Sequence, residues 1–321
     1  MRILSGIQPS GPLHIGNYFG MMKKMIQYQE TSQLLCFIAN YHALTSISNS
    51  TLLAENTLEA AISFLALGLD PNKSIFWVQS DIPEVTELTW VLANITPVGL
   101  MERSHSYKDK IAKGLAPNMG LFNYPILMAS DILLYQSEKV PVGKDQKQHV
   151  EITRDIAIRF NNEYGDIFTI PEPEIDENVA TIPGIDGQKM SKSYNNTIEI
   201  FTDKATLKTK VMNIVTDSLP VDASKDPDKC NVFNIYKLFI PTEEEAILRN
   251  RYINGGLKYS EVKKELVEII WNFYAPYREK YEDLKAHPEV VRTILKTGEK
   301  RAREIAQPTI EKVKKSIGLR Y

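Results

Sequence analysis

The sequence predicts an α/β fold: a parallel sheet split by a helical insertion, followed by an all-helical C-terminal domain. Three observations carry this. Short apolar runs alternate with stretches of helical periodicity through the first half of the chain. Helical patterns then dominate from about residue 84 to residue 136, before strand-like sequence resumes near Lys139. After Asn195 the character changes to charged, amphipathic helices. The expected domain limits are therefore 1–193, with the insertion at about 84–136, and 194–321.

In chain order, Arg2 to Ile7 reads as the first strand, and the turn-rich Gln8-Pro9-Ser10-Gly11-Pro12 follows it. A helix starts near Asn17 with Phe19, Met22 and Ile26 on one face. Leu34 to Ala39 is a continuous apolar run, the pattern of a strand covered on both faces. Leu58, Ala61, Ile62, Leu65 and Leu69 recur at helical spacing, and Gly68 with Asp70-Pro71 supplies the stop. Ser74-Ile75-Phe76-Trp77-Val78 is the next strand. This β-α-β-α-β order implies right-handed crossovers and a ligand crevice at the strand C-terminal ends. Farther on, Val150, Thr153, Ala157 and Phe160 mark one side of a long helix, and Val262, Leu266, Ile269 and Phe273 form an apolar stripe on another. Pro308 is expected to begin or kink a helix inside the last helical pattern.

Composition excludes several classes. With 43% hydrophobic and 24% charged residues in 36.5 kDa, the chain reads as an ordinary soluble globular protein. The most apolar stretch, Ala60 to Leu69, is about half a membrane span. Met1-Arg2-Ile3-Leu4-Ser5 leads straight into the first strand and leaves no room for a signal peptide, so the expected location is cytoplasmic, with no membrane association. Cys36 and Cys230 are too few for a Cys-rich metal site or an iron–sulfur cluster, and Cys36 reads as a buried reduced thiol. The five histidines contain no His-Glu-x-x-His pair, so no protein-bound structural metal is expected. A net charge of −2 argues against wholesale coating of nucleic acid while permitting a local basic face. One candidate is Lys296 to Tyr321, where eight basic residues stand against three acidic ones: either a solvated helix face or a polyanion contact.

Two segments carry chemistry. Pro9-Ser10-Gly11-Pro12-Leu13-His14-Ile15-Gly16-Asn17 links the first strand to a helix N-terminus, whose free N–H groups suit a phosphate. Gly16 lets a flat ring lie against the backbone, and His14 can donate to phosphate oxygens as charge builds on them. Roughly 170 residues later, Lys189-Met190-Ser191-Lys192-Ser193 follows the turn formers Gly184, Asp186 and Gly187. Two lysines three apart on such a loop can neutralise the charge that moves onto a departing pyrophosphate.

These segments resemble the HIGH and KMSKS signatures of class I aminoacyl-tRNA synthetases, with Asn17 where the final His of the first signature often stands. From Ser5-Gly6-Ile7-Gln8-Pro9-Ser10-Gly11 to Ser316-Ile317-Gly318 the chain resembles the bacterial tryptophanyl-tRNA synthetases. Met128-Ala129-Ser130-Asp131-Ile132-Leu133-Leu134-Tyr135 and Val140-Pro141-Val142-Gly143-Lys144-Asp145-Gln146-Lys147-Gln148-His149 are the stretches that favour tryptophan over tyrosine. The resemblance implies a Rossmann-like catalytic domain and a helical tRNA- and anticodon-binding domain. It implies ATP contacts at Gln8, Pro9, Ser10, Gly16, Asn17, Lys110, Gly143, Lys144, Asp145 and Ile182, and a phosphate loop formed by Lys189, Met190, Ser191, Lys192 and Ser193. His14, Lys189 and Lys192 are the expected catalytic residues. Asp131 is expected to accept the indole N–H, Met128 to line the ring, and Tyr124 and Gln146 to hold the α-amino end. His42, just past the second strand, stands where a crevice residue belongs.

The implied activity is that of a tryptophan–tRNA ligase. Tryptophan is activated with ATP, carrying Mg²⁺, to the adenylate and then transferred to tRNA(Trp) by a homodimer. Four positions depart from the family pattern: Leu4 replaces an aromatic residue, Asn40-Tyr41 replaces an acidic or amide pair, and Lys144 replaces a glutamate. A tyrosyl-tRNA synthetase and a non-charging, synthetase-like regulatory binding protein are the alternatives.

Overall fold

The computed structural model describes residues 1–103, 118–143, 146–175 and 182–321. Five parallel strands form one sheet in the order β3-β2-β1-β4-β5. They are β1 (Arg2–Ile7), β2 (Gln33–Ile38), β3 (Ile75–Val78), β4 (Lys139–Pro141) and β5 (Glu172–Glu174). Every residue of β2 after Gln33 is buried, because helices cover both faces of a parallel sheet. The strand order reverses at β1, so the turn leaving β1 opens at the switch point where such sheets bind ligands.

The chain forms two compact units. The first comprises Met1–Gly11, Met25–Asp176 and Leu284–Tyr321; the second comprises Pro12–Lys24 and Glu177–Asp283. The first holds the sheet and the helices α4 (Ser50–Ala66), α5 (Glu84–Ile95), α6 (Val98–Glu102), α7 (Met119–Leu134) and α8 (Lys147–Tyr164). It also holds α14 (Pro288–Ser316), and this differs from a division at 193/194. The reason is burial: Ala302, Ala306, Ile310 and Val313 of α14 share a core with Phe37, Trp77 and Leu88. Gly298 brings this helix against β3, where an added Cβ would sit 1.7 Å from the Phe76 carbonyl oxygen. Arg301 then ties α14 to the chain entering β3, donating to the carbonyls of Pro71 at 2.8 Å and Ser74 at 2.9 Å.

Of the two outcomes expected for Pro308, beginning a helix is excluded: it lies inside α14. It lies on the exposed face, so the Glu304 carbonyl that loses its helical partner can turn to water. Much of the basic content of this segment is paired within the unit: Arg303 with Glu84, Lys314 with Glu87, Lys296 with Glu299 and Arg320 with Glu311.

In the second unit, Ile15–Asn17 (α1) leads into a π-helical turn, Tyr18–Met22. Its aromatic side chains pack on Phe239 and on α12 (Tyr259–Phe273), with Phe19 and Phe239 centroids 4.9 Å apart edge to face. The buried stripe of α12 is Val262, Lys263, Leu266, Val267 and Ile270, rotated from the expected one; Ile269 and Phe273 are half-buried. Lys263 can be inward because its ammonium donates to the carbonyls of Met212 and Ile214.

Gly298→Val should lower unfolding stability by about 3 kcal/mol or more in chemical denaturation, since the added carbons overlap strand backbone that cannot move aside. Gly318→Ala, where nothing lies near but φ is +81°, should cost about 1 kcal/mol.

Candidate active site

The first signature is divided between the units: Gln8, Pro9 and Ser10 belong to the sheet unit, and His14, Gly16 and Asn17 to the other. In that second unit the HIGH-like turn pairs with the chain just beyond the lysine loop. The Ile15 N–H donates to the Ile198 carbonyl and the Ile200 N–H to the Leu13 carbonyl, both at 3.0 Å, and His14 bridges Glu199. The Asn17 side chain accepts from the His14 N–H at 3.1 Å, a capping contact that fixes the helix entry.

This pairing buries His14, which is 5% exposed, and places it in the field of Lys192. Burial, and secondarily the Lys192 charge, lower the imidazole pKa to about 4. The ring is therefore neutral at pH 7, and its Nδ1 has no hydrogen-bond partner among the described residues. Lys192 is itself depressed to about 8 by burial, opposed by the Glu199 carboxylate. A neutral donor beside a desolvated ammonium suits an oligophosphate better than an isolated anion-free surface would. Gly16 serves this arrangement in an unexpected way. Its missing Cβ leaves room for the His14 ring and Met190, which a methyl group would meet at 2.9 and 3.3 Å.

The lysine loop is a hairpin. Pro183 bridges Lys189, the Met190 N–H donates to the Ile182 carbonyl at 2.9 Å, and the Gly184 N–H to the Gln188 carbonyl at 2.7 Å. Gly187 supplies the positive φ of its turn. Met190 is buried, Lys189 and Ser193 are exposed, and the Ser191 and Ser193 hydroxyls lie 2.8 Å apart. The Ile182 carbonyl thus uses one of its two acceptor directions within the hairpin.

In the sheet unit, α7 carries Tyr124, Met128 and Asp131 on one face at i, i+4 and i+7. Asp131 is 2% exposed, and burial raises its pKa against the opposing pull of His42 and Gln79. His42 Nε2 lies 2.9 Å from one carboxylate oxygen, and the Gln79 amide donates to both oxygens at 2.8 Å. Gln79 also accepts from the Tyr41 N–H at 3.0 Å. Both partners follow strand C-termini, His42 after β2 and Gln79 after β3. Gln8, following β1, donates to the His42 carbonyl at 2.8 Å. Tyr124 hydrogen-bonds His149, a fully buried residue of α8. Gln146 stands at the N-cap position of α8 without a side-chain capping hydrogen bond, and Gly143 is exposed. Leu4 is simply core, at 2% exposure. Lys110, Lys144 and Asp145 lie outside the described residues.

The structure brings together His14 with Lys192 and Asp131 with His42, and adds Gln79, Glu199 and Asn196, which the sequence reading did not name. Gln79 was findable, since it stands at a strand C-terminus as His42 does. Glu199 and Asn196 have no signature; only chain pairing reveals them.

A parallel sheet whose order reverses at β1, and in the second unit a buried histidine at a helix entry with a paired-lysine hairpin, are the features of a class I synthetase. The family model for class I tRNA synthetases (W and Y) matches residues 1–275, and the chain belongs to that family. It is 53% identical over 319 residues to the tryptophan–tRNA ligase of Campylobacter jejuni, covering 99% of this chain and all of that protein. Identity to the Fusobacterium nucleatum tryptophan–tRNA ligase is also 53%, over 99% and 98% of the two chains. The crystal structure of the Campylobacter jejuni tryptophanyl-tRNA synthetase complexed with ADP and tryptophan superposes with a TM-score of 0.94, covering 99% of this chain and 100% of that one.

The depressed His14 pKa carries a pH signature. A folded state that resists protonation loses stability as pH falls from 6.5 towards 4, and loses none on this account above 6.5. His14→Gln should therefore be less acid-sensitive than the parent, recovering up to about 3 kcal/mol at pH 4 in urea titrations.

Proposed function

We propose that this chain is a tryptophan–tRNA ligase. Its first step is attack by the tryptophan carboxylate oxygen on the α-phosphorus of ATP. The bond from that phosphorus to the bridging oxygen breaks, and pyrophosphate leaves with tryptophanyl-adenylate as product. The second step transfers the tryptophanyl group to the 3′ end of tRNA(Trp), releasing AMP. One observation carries the reading: the HIGH-like turn is hydrogen-bonded to the chain just beyond the lysine hairpin, which sets His14, whose Nδ1 has no partner among the described residues, in the field of Lys192.

In this reading no enzyme nucleophile is required, and the chain contributes position and charge. His14 donates to the phosphates, while Lys189 and Lys192 take up the charge of the departing pyrophosphate. Gln8, Pro9, Ser10, Gly16, Asn17, Gly143 and the 189–193 loop are the ATP contacts, together with Lys110, Lys144, Asp145 and Ile182. Mg²⁺ arrives with the nucleotide as part of the substrate. Asp131 selects the side chain. Indole offers one N–H and no acceptor, and a carboxylate has four acceptor directions, so Asp131 has capacity beyond its bonds to His42 and Gln79. Met128, Tyr124 and Gln146 complete the amino acid site.

The tRNA-reading surface is assigned to the helical part of the second unit, α12 and its neighbours, rather than to the basic last helix, which packs into the sheet unit and pairs Arg303 and Lys314 with Glu84 and Glu87. The proposed compartment is the cytosol, where tRNA is charged; among the described residues no helix is long and apolar enough to cross a membrane. A homodimer through the helical insertion is supported by Trp90, Val98 and Met119, whose side chains are 73%, 62% and 68% exposed. Trp90→Lys should shift the sedimenting species from dimer to monomer; an unchanged dimer places the interface elsewhere.

ATP–pyrophosphate exchange across the twenty amino acids tests the activity, and tryptophan alone should drive it. Asp131→Ala should raise KM for tryptophan roughly 10- to 150-fold with KM for ATP nearly unchanged, the loss of one charge-assisted hydrogen bond. Lys192→Ala should lower kcat for exchange about 10²–10³-fold and leave tryptophan affinity intact. Exchange driven by tyrosine, or equal loss of both properties in either variant, contradicts the assignment.

A further inference from the structure

Asn196 follows the lysine loop and carries no signature of its own, yet it is 1% exposed. Its side chain makes three hydrogen bonds, all to the hairpin that presents the two lysines. The amide oxygen accepts from the Ser191 N–H at 2.7 Å, between Met190 and Lys192. The amide nitrogen donates to the Lys189 carbonyl at 3.1 Å and to Asp186 Oδ1 at 2.8 Å. One amide therefore spans Met190 from both sides and reaches the turn below. Asp186 Oδ1 in turn accepts from the Gln188 N–H at 3.0 Å, closing that turn. The Asn196 carbonyl accepts from the Ile185 N–H at 3.0 Å.

Two backbone features make room for this. Gly184 lies where a Cβ would meet the Asn196 amide nitrogen at 2.3 Å, so only glycine lets the amide reach across the hairpin. Asn195 takes the left-handed conformation at φ +50°, which turns the chain so that Asn196 points back under the loop. Only an amide meets these needs together, because the loop offers one N–H on one side and two oxygens on the other. Aspartate would accept from Ser191 but set a carboxylate against Asp186; leucine would take this partner from the Ser191 N–H and the Lys189 carbonyl, while Asp186 would keep the Gln188 N–H.

We infer that Asn196 is the positioning residue of the phosphate loop, holding the Lys189–Ser191 backbone so that Lys189 and Lys192 bracket a polyphosphate. It touches no substrate; it acts through the two lysines. The inference rests on the ligase reading for its kinetic consequence, while its structural consequence is independent of any activity.

Asn196→Ala should lower kcat for tryptophan-dependent ATP–pyrophosphate exchange roughly 30-fold and raise KM for ATP several-fold, with KM for tryptophan within two-fold of the parent. In the substrate-free protein, trypsin should cut after Lys189 and Lys192 about ten times faster in this variant, with other sites unaffected. A compensating pair guards against general misfolding. Asn196→Asp alone should be impaired; adding Asp186→Asn restores a donor and acceptor between the two positions, and should recover kcat to within about five-fold of the parent. Asp186→Asn alone should behave as the parent. Parent-like kinetics and cleavage in Asn196→Ala would overturn the inference, as would equal loss of tryptophan and ATP binding, or no recovery in the double variant. A parent protein without tryptophan-dependent exchange would instead remove the ligase reading, and the cleavage comparison would still decide the role of Asn196.

Discussion

The chemistry of the second unit depends on a short strip of backbone pairing. Leu13 and Ile15 bond to Ile198 and Ile200, and through those two bonds segments far apart in the chain share one small neighbourhood. The pairing buries His14 and brings the Lys192 charge to bear on it. Each group then alters the other's surroundings: the imidazole loses its affinity for a proton, and the ammonium sheds part of its hydration. A site with one unsatisfied ring nitrogen and a poorly solvated cation gains more from an oligophosphate than either group would alone on an open surface. Gly16 matters because the histidine ring occupies the space its side chain would take.

The sheet unit solves a different problem. A buried carboxylate is costly unless donors surround it, and Asp131 is met by His42 and Gln79, each delivered by the end of a neighbouring strand. Gln79 is itself fixed by the Tyr41 N–H, so the donor cannot swing away. A carboxylate held so firmly makes a directional acceptor for a ring N–H. The two units thus differ in charge: one gathers a neutral imidazole and a desolvated ammonium, the other buries a carboxylate among donors.

The last helix shows how composition can mislead. Its run of lysines and arginines invites a nucleic-acid contact, but Lys296, Arg303, Lys314 and, just past the helix, Arg320 are answered by Glu299, Glu84, Glu87 and Glu311, and Arg301 donates to backbone carbonyls. What the helix contributes is packing, with glycine at position 298 because no side chain fits against β3 there.

The sequence by itself determined the elements and the chemistry-bearing types. Short apolar runs marked β2 and β3, helical spacing marked α4 and α8, and the spellings around His14 and Lys189 to Ser193 marked the two segments that carry chemistry, because local propensity and motif spacing are properties of a few adjacent residues. Tertiary structure alone decided the rest. It assigned α14 to the sheet unit, rotated the buried stripe of α12 to include Lys263, and let Pro308 stand inside a helix by leaving Glu304 to water. It also made Gln79, Glu199 and Asn196 into partners of the signature residues. A hydrogen bond between groups far apart in the chain has no local trace; it exists only once packing has set both ends, and nothing in the residues themselves names the partner.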